Sequence, residues 1–140
     1  MWTQKKLSLS PKRRGFHLID DEIGTQLTKI KSYRQGILHL FIQHTSASLA
    51  INEKADPTVR EDLEAYFDRL VAPRQPYYQH TLEGDDDMPA HIKTCLIGTS
   101  LLVPIGDGRL LLGQWQGIYL CEHRDHARAR NLIATIHGNA

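Results

Sequence analysis

The sequence predicts an α+β fold with one domain over residues 1–140: a largely antiparallel β-sandwich with two or three helices. The length of 140 residues suits a single domain with its own hydrophobic core. Segments of strand length outnumber helical segments, and their connections are short, which favours antiparallel pairing. Gly106-Asp107-Gly108 lies between two apolar runs, as in a β-hairpin.

The N-terminal half contains four segments of strand length: 2–9, 15–20, 36–43 and 47–52. Between the second and third of these, apolar residues recur at intervals of three and four after two aspartates, namely Ile23, Leu27 and Ile30. That spacing predicts a short amphipathic helix with an acidic first turn.

A longer helix is expected to begin either at Asp56-Pro57, with Asp56 as its N-cap, or at Thr58, which forms a capping box with Glu61, and to end before Pro73. Its apolar face consists of Val59, Leu63, Tyr66, Phe67 and Leu70. The segment 72–87 is predicted to be a loop with a short strand over 77–80. Asp87 is the expected N-cap of the next helix, which ends at Gly98.

The C-terminal third is predicted to consist of strands. The segments 100–105 and 109–115 form the expected hairpin, and 117–122 and 129–137 supply two further strands.

Composition excludes several classes of function. Seventeen Lys and Arg residues against sixteen Asp and Glu residues give a net charge of +1, which offers no basic excess for nucleic acid or an anionic membrane. Cys95 and Cys121 alone cannot form the disulfide framework of a small secreted domain. The chain shows neither a signal peptide nor a membrane-spanning run, so we expect a cytoplasmic protein.

Polar residues interrupt the strands at points where chemistry is possible. His44 ends an apolar strand and suits a metal ligand, a base or a residue hydrogen-bonded to the backbone. Glu53, also at a strand end, suits a proton acceptor or a partner that orients a histidine. Asp56 is explained by helix capping.

The segment from His80 to His91 carries the densest cluster, because an acidic loop with three consecutive aspartates leads into a helix and a histidine stands on each side. Imidazole and carboxylate groups in this arrangement suit a metal site, whereas a solvated acidic loop explains the aspartates alone. Both interpretations stay open at this point.

A fourth cluster follows the C-terminal hairpin. Gln114 and Gln116 share one face of a strand, and Glu122, at the end of an apolar run, needs a partner. Arginines there suit a phosphate clamp, although for Arg128 and Arg130 a solvated rim is the favoured interpretation.

Together these motifs resemble the YjbQ family over nearly the whole chain. The resemblance rests on HTSASL at 44–49, Asn52-Glu53 with Asp56-Pro57, His80, DDMPAHIK at 86–93, Gly108-Arg-Leu110 and WQG at 115–117, with Glu122. It implies a small α+β fold with a β-sandwich, a homotrimer and a weak, secondary thiamine-phosphate synthase activity. This activity joins hydroxymethylpyrimidine pyrophosphate to a thiazole phosphate. Gln114 and Asp87 depart from the residues that relatives often have, which bears on substrate preference.

The resemblance also assigns site residues. We expect a divalent metal, zinc or magnesium, on His44, His80 and His91, with catalytic roles for Glu53, Asp86, Gln116 and Glu122. Three imidazoles suit zinc, whereas carboxylates suit magnesium. The expected partner is a small phosphorylated metabolite. The alternatives are a metal-dependent hydrolase of such a metabolite and a non-catalytic trimeric protein that binds a metal or ligand.

Overall fold

A computed structural model describes all 140 residues. The elements are β1 (Trp2–Leu9), β2 (Gly15–Leu18), α1 (Asp20–Gln26), a 3-10 helix (Thr28–Ser32), β3 (Gln35–Ile42), β4 (Ala47–Glu53), α2 (Pro57–Leu70), α3 (Asp87–Ile97), β5 (Ser100–Gly106), β6 (Arg109–Leu110), β7 (Gln116–Glu122) and β8 (Arg130–Asn139).

The strands form two sheets. The larger sheet has the order β1-β8-β3-β5-β6 and the smaller has the order β2-β7-β4, with every neighbouring pair antiparallel. Leu38 and Leu40 of the larger sheet and Ile118 and Leu120 of the smaller sheet belong to one buried cluster between them. This arrangement confirms the predicted α+β fold with three α-helices and antiparallel sheets.

The two outer faces differ. Phe16, Tyr119 and Cys121 of the smaller sheet pack against apolar residues of α2, Leu63 and Phe67, so helices cover that sheet. No helix covers the larger sheet, whose outer side exposes Ile37, Phe41 and Leu102 by 52%, 41% and 67%. None of the helices is long and apolar enough to cross a membrane.

Three details of the predicted elements are wrong. The expected strand over 77–80 is absent, because the backbone N–H of Tyr78 closes a turn onto the Gln75 carbonyl (3.0 Å). The strand expected over 109–115 ends at Leu110, since the chain then turns into β7 of the other sheet. Asp86, not Asp87, is the N-cap of α3, because its carbonyl accepts from the N–H of Ala90 (3.1 Å).

Candidate functional site

Two histidines and one aspartate converge at the start of α3. The ligand atoms of His80, Asp87 and His91 lie within 4.8 Å of one another. Nε2 of His80 lies 2.6 Å from Asp87 Oδ2, and Nε2 of His91 lies 3.2 Å from the same oxygen. Two imidazoles and one carboxylate therefore point at a single centre.

The local fold explains the convergence. Asp87 and His91 are four residues apart on α3, which brings them to one face of the helix. His80 comes from the loop that precedes the helix. Nδ1 of His91 donates to the backbone carbonyl of Thr45 (2.9 Å), which fixes the ring so that Nε2 faces the centre.

Asp87 is the buried member of this group, with 5% of its side chain exposed. Arg124 Nη1 donates to its second oxygen, Oδ1 (2.6 Å). Burial by itself raises the pKa of Asp87, but the hydrogen bond from His80 and the charges of His91 and Arg124 outweigh burial and lower it. The carboxylate is therefore ionised at neutral pH.

Asp86, a predicted catalytic residue, does not belong to this three-residue group and joins two loops. Its Oδ2 accepts from Arg124 Nε (2.8 Å) and from the backbone N–H of Asp125 (2.9 Å). These bonds lower the pKa of Asp86 against the opposing effect of burial. Arg124 also donates to the Glu83 carbonyl (2.9 Å), so one guanidinium ties the acidic loop to the β7–β8 loop.

His44 stands beside the centre but does not belong to the three-residue group. Its Nε2 accepts from the backbone N–H of Asn131 (2.8 Å), so the ring continues the hydrogen bonding between β3 and β8 beyond the end of β3. Burial, followed by the charge of Arg130, lowers the pKa of His44. The neutral ring therefore carries its proton on Nδ1 and offers a donor rather than a metal-binding lone pair.

Glu122 is fully buried and forms an ion pair with Arg130. Its two oxygens accept from Arg130 Nε (2.7 Å) and Nη2 (2.5 Å), and Nη2 also donates to Ser46 Oγ (3.0 Å). The expectation that Glu122 needs a partner is confirmed, and the interpretation of Arg130 as part of a solvated rim is wrong, because this arginine balances a buried charge.

Glu53 and Gln116 lie elsewhere. They are paired residues of β4 and β7, at the opposite end of β7 from Glu122. Six residue steps of extended strand amount to roughly 20 Å. Both side chains serve local turns: the Glu53 carboxylate accepts from the N–H of Asp56 (2.8 Å), and the Gln116 carbonyl accepts from the N–H of Gly113 (2.7 Å). Within one chain they are not brought to the histidines.

Comparison with known proteins identifies the family. The model of the YjbQ family, described as UPF0047 protein YjbQ-like, matches residues 5–139. The chain belongs to the YjbQ family. The UPF0047 protein YjbQ of Escherichia coli O157:H7 is 54% identical over 138 residues, which are 99% of each chain. A UPF0047 protein of Synechocystis is 40% identical over 96% of this chain and 91% of its own length.

Solved structures of similar proteins share the fold. An uncharacterised YjbQ/UPF0047 protein from Clostridium acetobutylicum superposes with a TM-score of 0.82 at 33% identity, over 95% of this chain and 99% of that one. A conserved hypothetical protein from Thermus thermophilus gives a TM-score of 0.79 at 34% identity, over 92% and 97% of the two chains. These relatives support the family and the fold, and the function of the family is not established by them.

Asp87 and Arg124 are two residues of this candidate site that are not among the expected catalytic residues and metal ligands. The sequence predicts Asp87 as a helix cap that can share a helix face with His91, four residues further on, but does not identify it as a metal ligand or catalytic residue. Arg124 contacts Asp87 across 37 positions of sequence, and no local pattern identifies such a partner.

Proposed function

We propose that this chain binds zinc through His80, Asp87 and His91 and acts on a small phosphorylated metabolite, with a weak thiamine-phosphate synthase activity. The observation that carries the metal site is its geometry, because the ligand atoms of His80, Asp87 and His91 lie within 4.8 Å of one another. Nδ1 of His91 donates to the Thr45 carbonyl, which leaves Nε2 as the ring nitrogen that faces the centre. This Nε2 lies 3.2 Å from Asp87 Oδ2, so both atoms can ligate the same cation.

The donor set favours zinc over magnesium. Zinc is commonly held by two histidines and a carboxylate with one position left open, whereas magnesium prefers oxygen ligands. In a tetrahedral zinc site, two neighbouring ligand atoms lie about 3.3 Å from each other. The contacts of 2.6 Å and 3.2 Å around Asp87 Oδ2 reach that geometry with small side-chain movements.

The residues around the group fit the chemistry of phosphoryl compounds. A zinc ion held here supplies Lewis-acid polarisation of a phosphoryl or leaving-group oxygen. In the synthase reaction the bond between carbon and pyrophosphate oxygen breaks as the thiazole nitrogen bonds to that carbon. The protein has to neutralise the departing pyrophosphate and hold the second reactant in line. Arg124 contributes positive charge and fixes the position of Asp87.

Metal content tests the site. Untagged protein should contain about one zinc ion per chain, and His91→Asn and Asp87→Asn should lose most of it, because each removes one of three protein ligands. His17→Asn is the matched control, since the His17 ring also bonds to a carbonyl (Arg13, 2.7 Å) but has no second ligand nearby. Elemental analysis that finds no stoichiometric metal, or equal metal in His91→Asn, contradicts the proposal.

Product formation tests the activity. Purified protein with hydroxymethylpyrimidine pyrophosphate and thiazole phosphate should form thiamine phosphate slowly, and overexpression should restore growth of a strain that lacks thiamine-phosphate synthase. His91→Asn should abolish both. A metal-loaded protein that forms no product and rescues no growth points instead to the non-catalytic binding protein.

We also propose a homotrimer. Support comes from the resemblance and from the uncovered outer face of the larger sheet, where Ile37, Phe41 and Leu102 are exposed. Light scattering should give about three times the chain mass of 16.0 kDa. Phe41→Ser should reduce the mass measured by light scattering, while circular dichroism should still show a folded chain. A monomeric wild-type protein at micromolar concentration contradicts the assembly.

A further inference from the structure

A pocket of about 340 Å³ lies beside the three-residue group and is lined without a single carboxylate. We call it the arginine pocket; its lining consists of His44, Ser46, Arg124 and the segment 126–130. That segment includes Arg128 and Arg130. Three guanidinium groups and two imidazoles around one small cavity form an unusual concentration of hydrogen-bond donors.

The charges of the three arginines are not equally balanced. Arg124 is paired with Asp86 and Asp87, and Arg130 is paired with Glu122. Arg128 is exposed and makes no hydrogen bond or ion pair with the protein. It is therefore the uncompensated positive charge of the pocket.

The backbone adds further donors. The N–H groups of residues 126–129 find no acceptor in the protein, whereas the neighbouring N–H groups of Asp125 and Asn131 are both bonded. The neutral ring of His44 adds an Nδ1–H group, as its Nε2 accepts from Asn131. These N–H groups belong to residues that line the pocket, and a planar guanidinium such as that of Arg128 is suited to phosphate oxygens.

We propose that the arginine pocket binds the phosphoryl group of the substrate, with Arg128 as the residue that contacts its oxygens. The inference rests on the proposed function for the identity of the ligand and assigns where its phosphate or pyrophosphate lies. Arg124 lines the pocket and also contacts Asp87 at 2.6 Å. Thr45, whose carbonyl orients His91, lies between the pocket residues His44 and Ser46. A phosphoryl group in the pocket is thus placed next to the metal group.

Inorganic pyrophosphate is the probe. Calorimetric titration of the protein as purified, and again after removal of bound metal with a chelator, should show saturable binding in both preparations. Arg128→Gln should weaken this binding about 10-fold to 100-fold, as expected for loss of hydrogen bonds to a charged group. The matched control is Arg69→Gln, an exposed arginine without a partner in the last turn of α2, which should bind like wild type.

The possible results distinguish the proposal of a phosphoryl-binding pocket from the proposal of a metal site. Weakening by Arg128→Gln in both preparations, with unchanged metal content, supports the pocket. Binding that is absent, that disappears with the metal, or that is insensitive to Arg128→Gln overturns it and leaves the metal site standing. If Arg69→Gln weakens pyrophosphate binding equally, the pocket proposal is also overturned, because binding then depends only on the net charge of the protein. A protein that lacks metal but shows Arg128-dependent binding overturns the proposed metal function alone.

Discussion

The ion pair between Glu122 and Arg130 offers the sharpest test of how the structure balances charge. Both side chains are buried, with exposures of 0% and 9%, and are joined by two hydrogen bonds. Arg130→Met removes the positive partner and leaves Glu122 without a counter-charge in the interior. Breaking a buried pair in this way costs about 3–5 kcal/mol of unfolding free energy.

The double variant Glu122→Met with Arg130→Met should recover much of this loss. Replacing both members of a buried pair with apolar groups of similar volume is often close to neutral. Part of the cost remains, because Ser46 Oγ loses its donor and the N–H of Arg124 loses its acceptor (3.2 Å).

Urea unfolding at one fixed protein concentration measures all four members of this double-mutant cycle. Two results refute the reasoning: a single variant within about 1 kcal/mol of wild type, or a double variant whose loss equals the sum of the two single losses. Either result means that the charges are screened or that the pair is not buried in solution.

Three further predictions concern stability and thiol chemistry. Leu40→Ala should reduce the free energy of unfolding by about 2–5 kcal/mol in urea, because the fully buried side chain fills the space between the sheets; a loss below about 1 kcal/mol contradicts that packing. Burial raises the pKa of Cys121 to about 12, so a maleimide should label only the exposed Cys95 in native protein and both thiols after unfolding. Although burial opposes the shift, bonds to a lysine and a backbone N–H lower the pKa of Glu22 in the folded chain. As the pH falls, Glu22 therefore takes up its proton in the unfolded chain before it does so in the folded chain. The stabilisation that Glu22 provides above about pH 4.3 is lost as the pH falls below that value. Glu22→Gln should therefore show a shallower loss of stability in acid-unfolding curves.

Much of the fold is predictable because its helices and strands are specified by residues that lie close together in the sequence. Alternation of apolar residues specifies the strands, and Asp56 with Pro57 specifies the start of α2, where Asp56 accepts from the N–H of Thr58 (2.9 Å). The exceptions lie where the path of the chain decides the structure. The segment 77–80 has the composition of a strand, but Pro76 precedes it and the N–H of Tyr78 bonds back to the Gln75 carbonyl in a turn.

The candidate site is predictable only in part. His80 and His91 flank an acidic loop at the start of a helix, and the structure brings their Nε2 atoms to one oxygen. The third member is Asp87 rather than His44, whose Nε2 accepts from the backbone N–H of Asn131 in β8. The roles expected of Glu53 and Gln116 stay predictions, because these residues lie at the far end of β7 and only a second copy of the chain can bring them near the histidines.

Periodicity, helix caps and ordered motifs are enough to predict an α+β domain with antiparallel sheets, its family and the segments that carry its polar chemistry. These signals are properties of neighbouring residues, so they can be recognised in the sequence. Which polar groups meet is decided at the tertiary level. The bond from Arg124 to Asp87, the burial of the Glu122–Arg130 pair and the free donors of residues 126–129 depend on how distant loops cross. Loop paths are set by long-range packing and hydrogen bonding, which no local pattern of residues records.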